Sequence, residues 1–256
     1  MDDLKLLENI KVLYIEDEKV TRTMISSFLK KKVGKVIVAE CGEEGIKNFL
    51  EYKPDIIITD LVMPDMSGID VMKRIRSMGY KVPIIITSAL SDSKTILQTV
   101  DLKIEKYLIK PIDEDILLEK LVNIASEELN ISKVVALSEE FNLTNEVKKR
   151  MQMDIRNIYS SYLKKVTGKG ARSIEVFIKG KQIEIISRDT LTVLEENLLC
   201  TSGLPKSIEI IRSTVYEHTR EYIENEISNL IKRKVKLKKI SIYPEEKYER
   251  MVLKII

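Results

Sequence analysis

The chain has 256 residues, 44% of them hydrophobic and 32% charged, with a formal net charge of +3, which fits two domains of ordinary size, each with a real core. No apolar run nears the roughly 18 residues a membrane span needs, the start Met1-Asp2-Asp3-Leu4-Lys5 lacks a signal-peptide pattern, and the two cysteines, Cys41 and Cys200, are far apart, so a cytoplasmic protein with reduced thiols is expected. Residues 1–125 carry 19 Lys/Arg against 21 Asp/Glu and residues 126–256 carry 24 against 19, a basic bias too mild for a dedicated nucleic-acid domain.

Strands and helices alternate through the first half. Lys11-Val12-Leu13-Tyr14-Ile15 reads as a short apolar strand ending in Glu16-Asp17-Glu18. Met24, Ile25, Phe28 and Leu29 mark a helix with a basic end, Lys30-Lys31-Lys32, which suits a helix C-terminus. Val36 to Ala39 is a second strand, and Ile46, Phe49 and Leu50 a second helix. Ile56 to Asp60, after Pro54, is a buried third strand. Ile69, Val71, Met72 and Ile75 form a third helix closed by Gly79. Val82 to Thr87 is the fourth strand, Ile96, Leu97 and Val100 the fourth helix, and Tyr107 to Ile109 the fifth strand. Asp113 caps a fifth helix carrying Ile116, Leu117, Leu121 and Ile124. Continuous apolar strands alternating with helices specify a doubly wound, five-stranded parallel sheet.

In such a sheet, strand carboxyl ends line the ligand crevice. Glu16 and Asp17 end strand one, Asp60 strand three, Thr87 strand four and Lys110 strand five. Three converging carboxylates call for a cation, and Mg²⁺ suits oxygen donors of this kind. Asp60 is then the candidate nucleophile for a phosphoryl group, with Lys110 as a point cation and Thr87 as a hydroxyl donor.

These residues resemble the receiver domain of two-component response regulators over about residues 9–126. The motifs are Glu16-Asp17, Asp60-Leu61-Val62-Met63-Pro64-Asp65-Met66-Ser67-Gly68, Thr87-Ser88-Ala89 and Tyr107-Leu108-Ile109-Lys110-Pro111. The resemblance implies a flavodoxin-like fold and phosphorylation of Asp60 by a sensor histidine kinase. It also implies Mg²⁺ held by Glu16, Asp17, Asp60 and the Val62 backbone carbonyl. Thr87 is expected to move toward the phosphoryl group and Tyr107 to turn inward behind it, and Lys110–Pro111 is often cis in the family. Val62 and Ala89 stand where receivers often place groups that orient the attacking water. Neither side chain can do so by hydrogen bonding, which predicts slow self-dephosphorylation.

Residues 130–143 read as a helical linker between a receiver over 1–129 and an output domain over 144–256. Thr144 is a plausible N-cap for a helix with the stripe Val147, Met151, Ile155, Ile158, Tyr162 and Val166. Ile174 to Ile178 and Gln182 to Ile186 form a hairpin with Lys179-Gly180 at the turn. Thr192-Val193-Leu194-Glu195 fits a capping box. One long helix is expected from Lys206 to Arg233 on Ile208, Ile211, Val215, Tyr222, Ile223 and Leu230, then a strand over Lys234 to Ile242 and a further one over Met251 to Ile256. This is a smaller α+β domain.

Chemistry is sparse in this half. Gly168-Lys169-Gly170-Ala171-Arg172-Ser173 lacks the glycine gap of a phosphate loop and is better read as a helix C-cap with a basic turn. His218, the one histidine, reads as solvated or packed rather than catalytic. Lys234, Lys236 and Lys238 line one strand face, fitting a phosphate or anionic-lipid surface less well than edge-strand protection.

Residues 144–256 resemble the MpsC-like family, whose name refers to a sodium-translocating, membrane-potential-generating system. The features are Tyr162-Leu163-Lys164-Lys165-Val166-Thr167-Gly168-Lys169-Gly170, the hairpin, and the Arg212-to-Lys232 helix leading into Val235 to Ile242. The resemblance defines no catalytic residues. The sequence thus points to a response regulator whose output acts by protein interaction. Expected partners are the kinase, an unknown output partner and a second copy through the fourth helix–fifth strand–fifth helix face. The alternative is a DNA-binding transcriptional regulator with a basic C-terminal surface. An output enzyme lacks any recognisable constellation.

Overall fold

A computed structural model of the chain describes residues 6–89, 106–128, 145–202 and 204–256. Residues 1–135 and 136–256 form two compact units. The expected fourth helix over Ile96–Val100, the linker and the Thr144 cap lie outside the described residues.

In the first unit β1 (Lys11–Ile15), β2 (Lys35–Ala39), β3 (Ile56–Asp60), β4 (Ile84–Ser88) and β5 (Lys106–Ile109) form a sheet of order β2-β1-β3-β4-β5, and every adjacent pair is parallel. β1, β3 and β4 are buried at every residue, because helices cover both faces of a parallel sheet. The helices are α1 (Lys19–Lys32), α2 (Gly42–Tyr52), α3 (Gly68–Ser77) and α4 (Glu114–Asn123), the last running into a π-turn at Ile124–Glu128. Ile25 and Leu29 of α1 and Leu117 and Leu121 of α4 pack with Val12, Tyr14, Ile56, Ile58 and Ile85 in one core. Met24 and Ile116, expected in the core stripes, are 54% and 47% exposed.

Local chemistry fixes the helix ends. Asp113 accepts from the Asp115 and Ile116 amides, and Ser67 and Asp70 close a capping box on α3. A Cβ at Gly68 would stand 2.2 Å from the Asp60 carbonyl oxygen, so only glycine lets α3 begin against the end of β3.

In the second unit β6 (Ser173–Lys179), β7 (Gln182–Arg188), β8 (Val235–Tyr243) and β9 (Tyr248–Ile255) form an antiparallel sheet of order β6-β7-β9-β8. The helices are α5 (Asn145–Thr167), α6 (Val193–Ser202), α7 (Pro205–His218) and α8 (Arg220–Ile231). Ile155, Tyr159, Tyr162 and Leu163 of α5, with Ile223 and Ile227 of α8, share a core with Ile183, Ile185, Met251 and Leu253 of the sheet. The hairpin turn is Gly180-Lys181, since Lys179 pairs with Gln182. The Thr192–Glu195 box is present, with the Thr192 amide donating to Glu195 Oε2 at 2.7 Å and the Glu195 amide to Thr192 Oγ1 at 3.4 Å. Gly168, with φ of +76°, ends α5, and Lys169 donates to the Leu191 carbonyl, as expected for a C-cap and basic turn.

Three further expectations fail. The long helix over 206–233 is two, α7 and α8, broken at Thr219. The inward face of α7 is Ile208, Arg212 and Tyr216, whereas Ile211 is 48% exposed. The phase slips because the inward position at the centre is an arginine, which hydrophobic periodicity reads as outward. Lastly, Lys234, Lys236 and Lys238 do not form one face. Lys234 precedes β8, Lys236 pairs with buried Glu224 at 2.6 Å, and a bulge between Leu237 and Lys239 breaks the alternation. That bulge, on an edge strand, is itself a device against edge-to-edge pairing.

Arg212, 2% exposed, ties this unit together. Nε and Nη2 grip the two Glu195 oxygens at 2.7 and 2.8 Å, Nη1 donates to Glu249 at 2.6 Å, and Nη2 donates to the Thr190 carbonyl at 2.6 Å. Tyr216 donates its hydroxyl to the other Glu249 oxygen at 2.7 Å. Burial pulls the Arg212 pKa down, but Glu195 and Glu249 outweigh it and hold the value up, so the guanidinium stays charged.

Candidate functional site

The carboxyl ends of β1 and β3 place three acids together: one ligand oxygen each from Glu16, Asp17 and Asp60 lie within 4.8 Å of one another. Glu16 is fully buried and Asp60 is 7% exposed, while Asp17 is exposed. Lys110, at the end of β5, reaches across. Its Nζ donates to Asp60 Oδ2 at 2.6 Å and to Glu16 Oε1 at 2.9 Å. Tyr14 donates its hydroxyl to Glu16 Oε2 at 3.1 Å. The Lys110–Pro111 bond is cis.

Burial raises the Glu16 pKa, with the Lys110 hydrogen bond opposing it. For Lys110 burial acts downward, but the Asp60 and Glu16 contacts outweigh it and the net shift is upward. Burial, then the Glu16 charge, raises the Tyr14 hydroxyl. A single ammonium against three carboxylates leaves negative charge at a solvent-facing rim. Such an oxygen set fits a hard divalent cation.

Thr87 is fully buried. It lies opposite Asp60 in the β3–β4 register, and its hydroxyl donates to the Thr59 carbonyl at 3.4 Å. Tyr107 is half-buried, with its hydroxyl shielded from solvent. Val62 is 61% exposed and Ala89 is also exposed, so their apolar surfaces stand in water beside the site. The structure therefore gathers Glu16, Asp17, Asp60 and Lys110 in direct reach and sets Thr87 on the adjoining strand.

Sequence reasoning passed over Tyr14 and Arg22. Arg22 donates to the Glu16 and Asp17 carbonyls at 2.7 and 2.6 Å. Nothing distinguishes a lone arginine in a first helical turn, but its position five residues after an acidic strand end was available as a signal. In the second unit His218 is exposed, flanking a shallow depression lined with Ser213, Thr214 and Glu217.

This sheet and acidic edge define a receiver fold. Residues 12–122 match the response regulator receiver domain family. The chain is 30% identical over 113 residues to the chemotaxis protein CheY of Listeria monocytogenes, covering 44% of this chain and 95% of that protein. It is 35% identical over 112 residues to the cell cycle transcriptional regulator CtrA of Caulobacter vibrioides, covering 44% of this chain and 48% of that one. Among solved structures, the N-terminal domain of an uncharacterized Wolinella succinogenes protein aligns with 33% identity and a TM-score of 0.45, over 47% of this chain and 98% of that one. The chain belongs to the two-component response regulators through this receiver domain. Residues 147–255 match the family described as Na+-translocating membrane potential-generating system (MpsC), so the second unit is an MpsC-like domain. The chain spans about half the length of CtrA and of another match, the transcriptional regulatory protein DltR of Streptococcus agalactiae, 32% identical over 112 residues that cover 44% of this chain and 50% of that one. Among the described residues no helix is long and apolar enough to cross a membrane.

Proposed function

We propose that residues 1–129 are a phosphorylation switch for the output domain over 144–256, with Asp60 accepting a phosphoryl group from a sensor histidine kinase. The observation that carries this reading is the bridge of Lys110 Nζ between Asp60 and Glu16, at 2.6 and 2.9 Å, on the rim where the three carboxylates meet.

Asp60 supplies a carboxylate oxygen as nucleophile. Lys110 stays cationic beside it, placed to donate a hydrogen bond to a phosphoryl oxygen. Glu16, Asp17 and Asp60, with the Val62 carbonyl, are the residues to hold Mg²⁺, which when bound supplies charge neutralisation for phosphoryl transfer. Thr87 gives up its bond to the Thr59 carbonyl to reach a phosphoryl oxygen, and Tyr107 fills the space behind. Val62 and Ala89 offer an attacking water no hydrogen bond, so the acyl phosphate is long-lived.

The output acts by protein interaction, with a homodimer through the fourth helix–fifth strand–fifth helix face as the phosphorylated form. A DNA-binding output gains nothing from the transcriptional regulators above, because those matches cover only the receiver.

The test is intact-mass spectrometry of the full chain after acetyl phosphate and Mg²⁺. The parent gains one phosphoryl group and Asp60→Asn gains none. A labelled Asp60→Asn protein, or an unlabelled parent, overturns the assignment. Loss of label within seconds overturns the long lifetime.

A further inference from the structure

We propose that Arg22 is a positioning residue for divalent-cation binding, a role resting on the phosphorylation reading above. Its guanidinium sits where two strands end. Nη1 donates to the Glu16 carbonyl at 2.7 Å and to the Asp17 carbonyl at 2.6 Å, and Nη2 pairs with Glu40, just past β2, at 3.2 Å. The side chain is 16% exposed, and its own amide donates to Glu18 at 2.9 Å, so α1 fixes it from behind.

Lys110 grips Glu16 and Asp60 through their carboxylates. Arg22 grips Glu16 and Asp17 through their backbone. The three acids repel one another, and the acidic pair follows the end of β1, where its carbonyls still need partners. Holding both carbonyls keeps the pair in one backbone conformation without a cation. The cation then meets a formed site instead of ordering one.

The Glu40 pair does not account for this, because Glu40 is 70% exposed and an exposed ion pair contributes little. The carbonyl contacts carry the effect. A lysine has no planar fork and holds them poorly.

Calorimetric titration of the full chain with MgCl₂ tests this, with thermal midpoints of the metal-free proteins recorded alongside. Arg22→Ala should weaken Mg²⁺ binding roughly tenfold, as outer-shell substitutions do. Arg22→Lys should fall between it and the parent. Glu40→Gln should stay within about twofold of the parent. An Arg22→Ala protein with a lowered midpoint and parental Mg²⁺ affinity makes the residue merely structural and overturns the proposal. If Arg22→Ala does not fold, Arg22→Lys decides, and parental affinity there overturns it equally. A parent that binds no Mg²⁺ instead overturns the phosphorylation reading, and this role with it.

Discussion

In the receiver, one ammonium meets two of three gathered carboxylates; in the MpsC-like domain, one guanidinium meets two carboxylates, a carbonyl and a tyrosine hydroxyl. The first cluster keeps an open rim, with Lys110 23% exposed at its side chain. The second is sealed, with Arg212 and Glu249 at 2% and 4%. A guanidinium has five N–H donors, and Arg212 directs all three of its nitrogens at protein oxygens. Unsatisfied charge at an accessible edge makes a site. Fully satisfied charge in the interior makes a joint, here between the α6 start, α7 and the first residues of β9.

The largest effect should come from breaking the joint. Arg212→Leu leaves Glu195 and Glu249 buried without their cation and should cost about 3–5 kcal/mol, read from urea unfolding of the full chain. Replacing Glu195 and Glu249 by Gln in the same protein should recover part of the loss. If Arg212→Leu unfolds at the parental urea concentration, the cluster is not the joint described. The next effect belongs to the receiver. Gly68→Ala drives a methyl into the Asp60 carbonyl, 2.2 Å away, and should cost about 1–3 kcal/mol as an overpacked core does. It should also slow labelling by acetyl phosphate, because α3 and the end of β3 must part.

These two positions show what the sequence could reveal. Gly68 was legible as part of a motif, because the receiver's chemistry sits on strand ends and every strand end follows an apolar run. Glu16, Asp17, Asp60, Thr87 and Lys110 fall on one edge by strand pattern alone. The parallel sheet was legible for the same reason. Arg212 was not legible. Its neighbours Ile211 and Val215 offered a helical stripe that looked continuous, and no local pattern says that an arginine turns inward to meet a glutamate 17 and another 37 residues away. The break at Thr219 was hidden too, since neither proline nor glycine marks it. Tertiary pairing decides both.

pH separates the two acids of the joint. Burial, the largest influence on Glu249, raises its pKa above the ordinary 4.5 despite Arg212 and Tyr216. A carboxyl raised on folding contributes stability that is complete below the unfolded value and is lost as pH rises through the folded one. For Glu195 burial also acts upward, but Arg212 and Thr192 outweigh it and the pKa is lowered from 4.5. Its contribution is present above 4.5 and is lost as pH falls through the folded value. Urea midpoints followed well below and well above 4.5 should therefore move oppositely relative to the parent. Glu249→Gln should gain on the parent as pH rises. Glu195→Gln should gain on it as pH falls. Parallel curves for both variants remove the distinction.

The smallest effect marks the other end of the same scale. Arg74 and Glu43 join α3 to α2 at 2.8 Å, within the range of the contacts in the two clusters, yet their side chains are 48% and 64% exposed. Water already solvates both charges, and holding two long side chains together costs entropy, so Arg74→Ala should change stability by less than about 0.5 kcal/mol. Raising the salt concentration should shrink even that. A loss comparable to that of Arg212→Leu would mean that distance, and not burial, sets the worth of an ion pair in this protein, and the contrast between open rim and sealed joint would lose its physical basis.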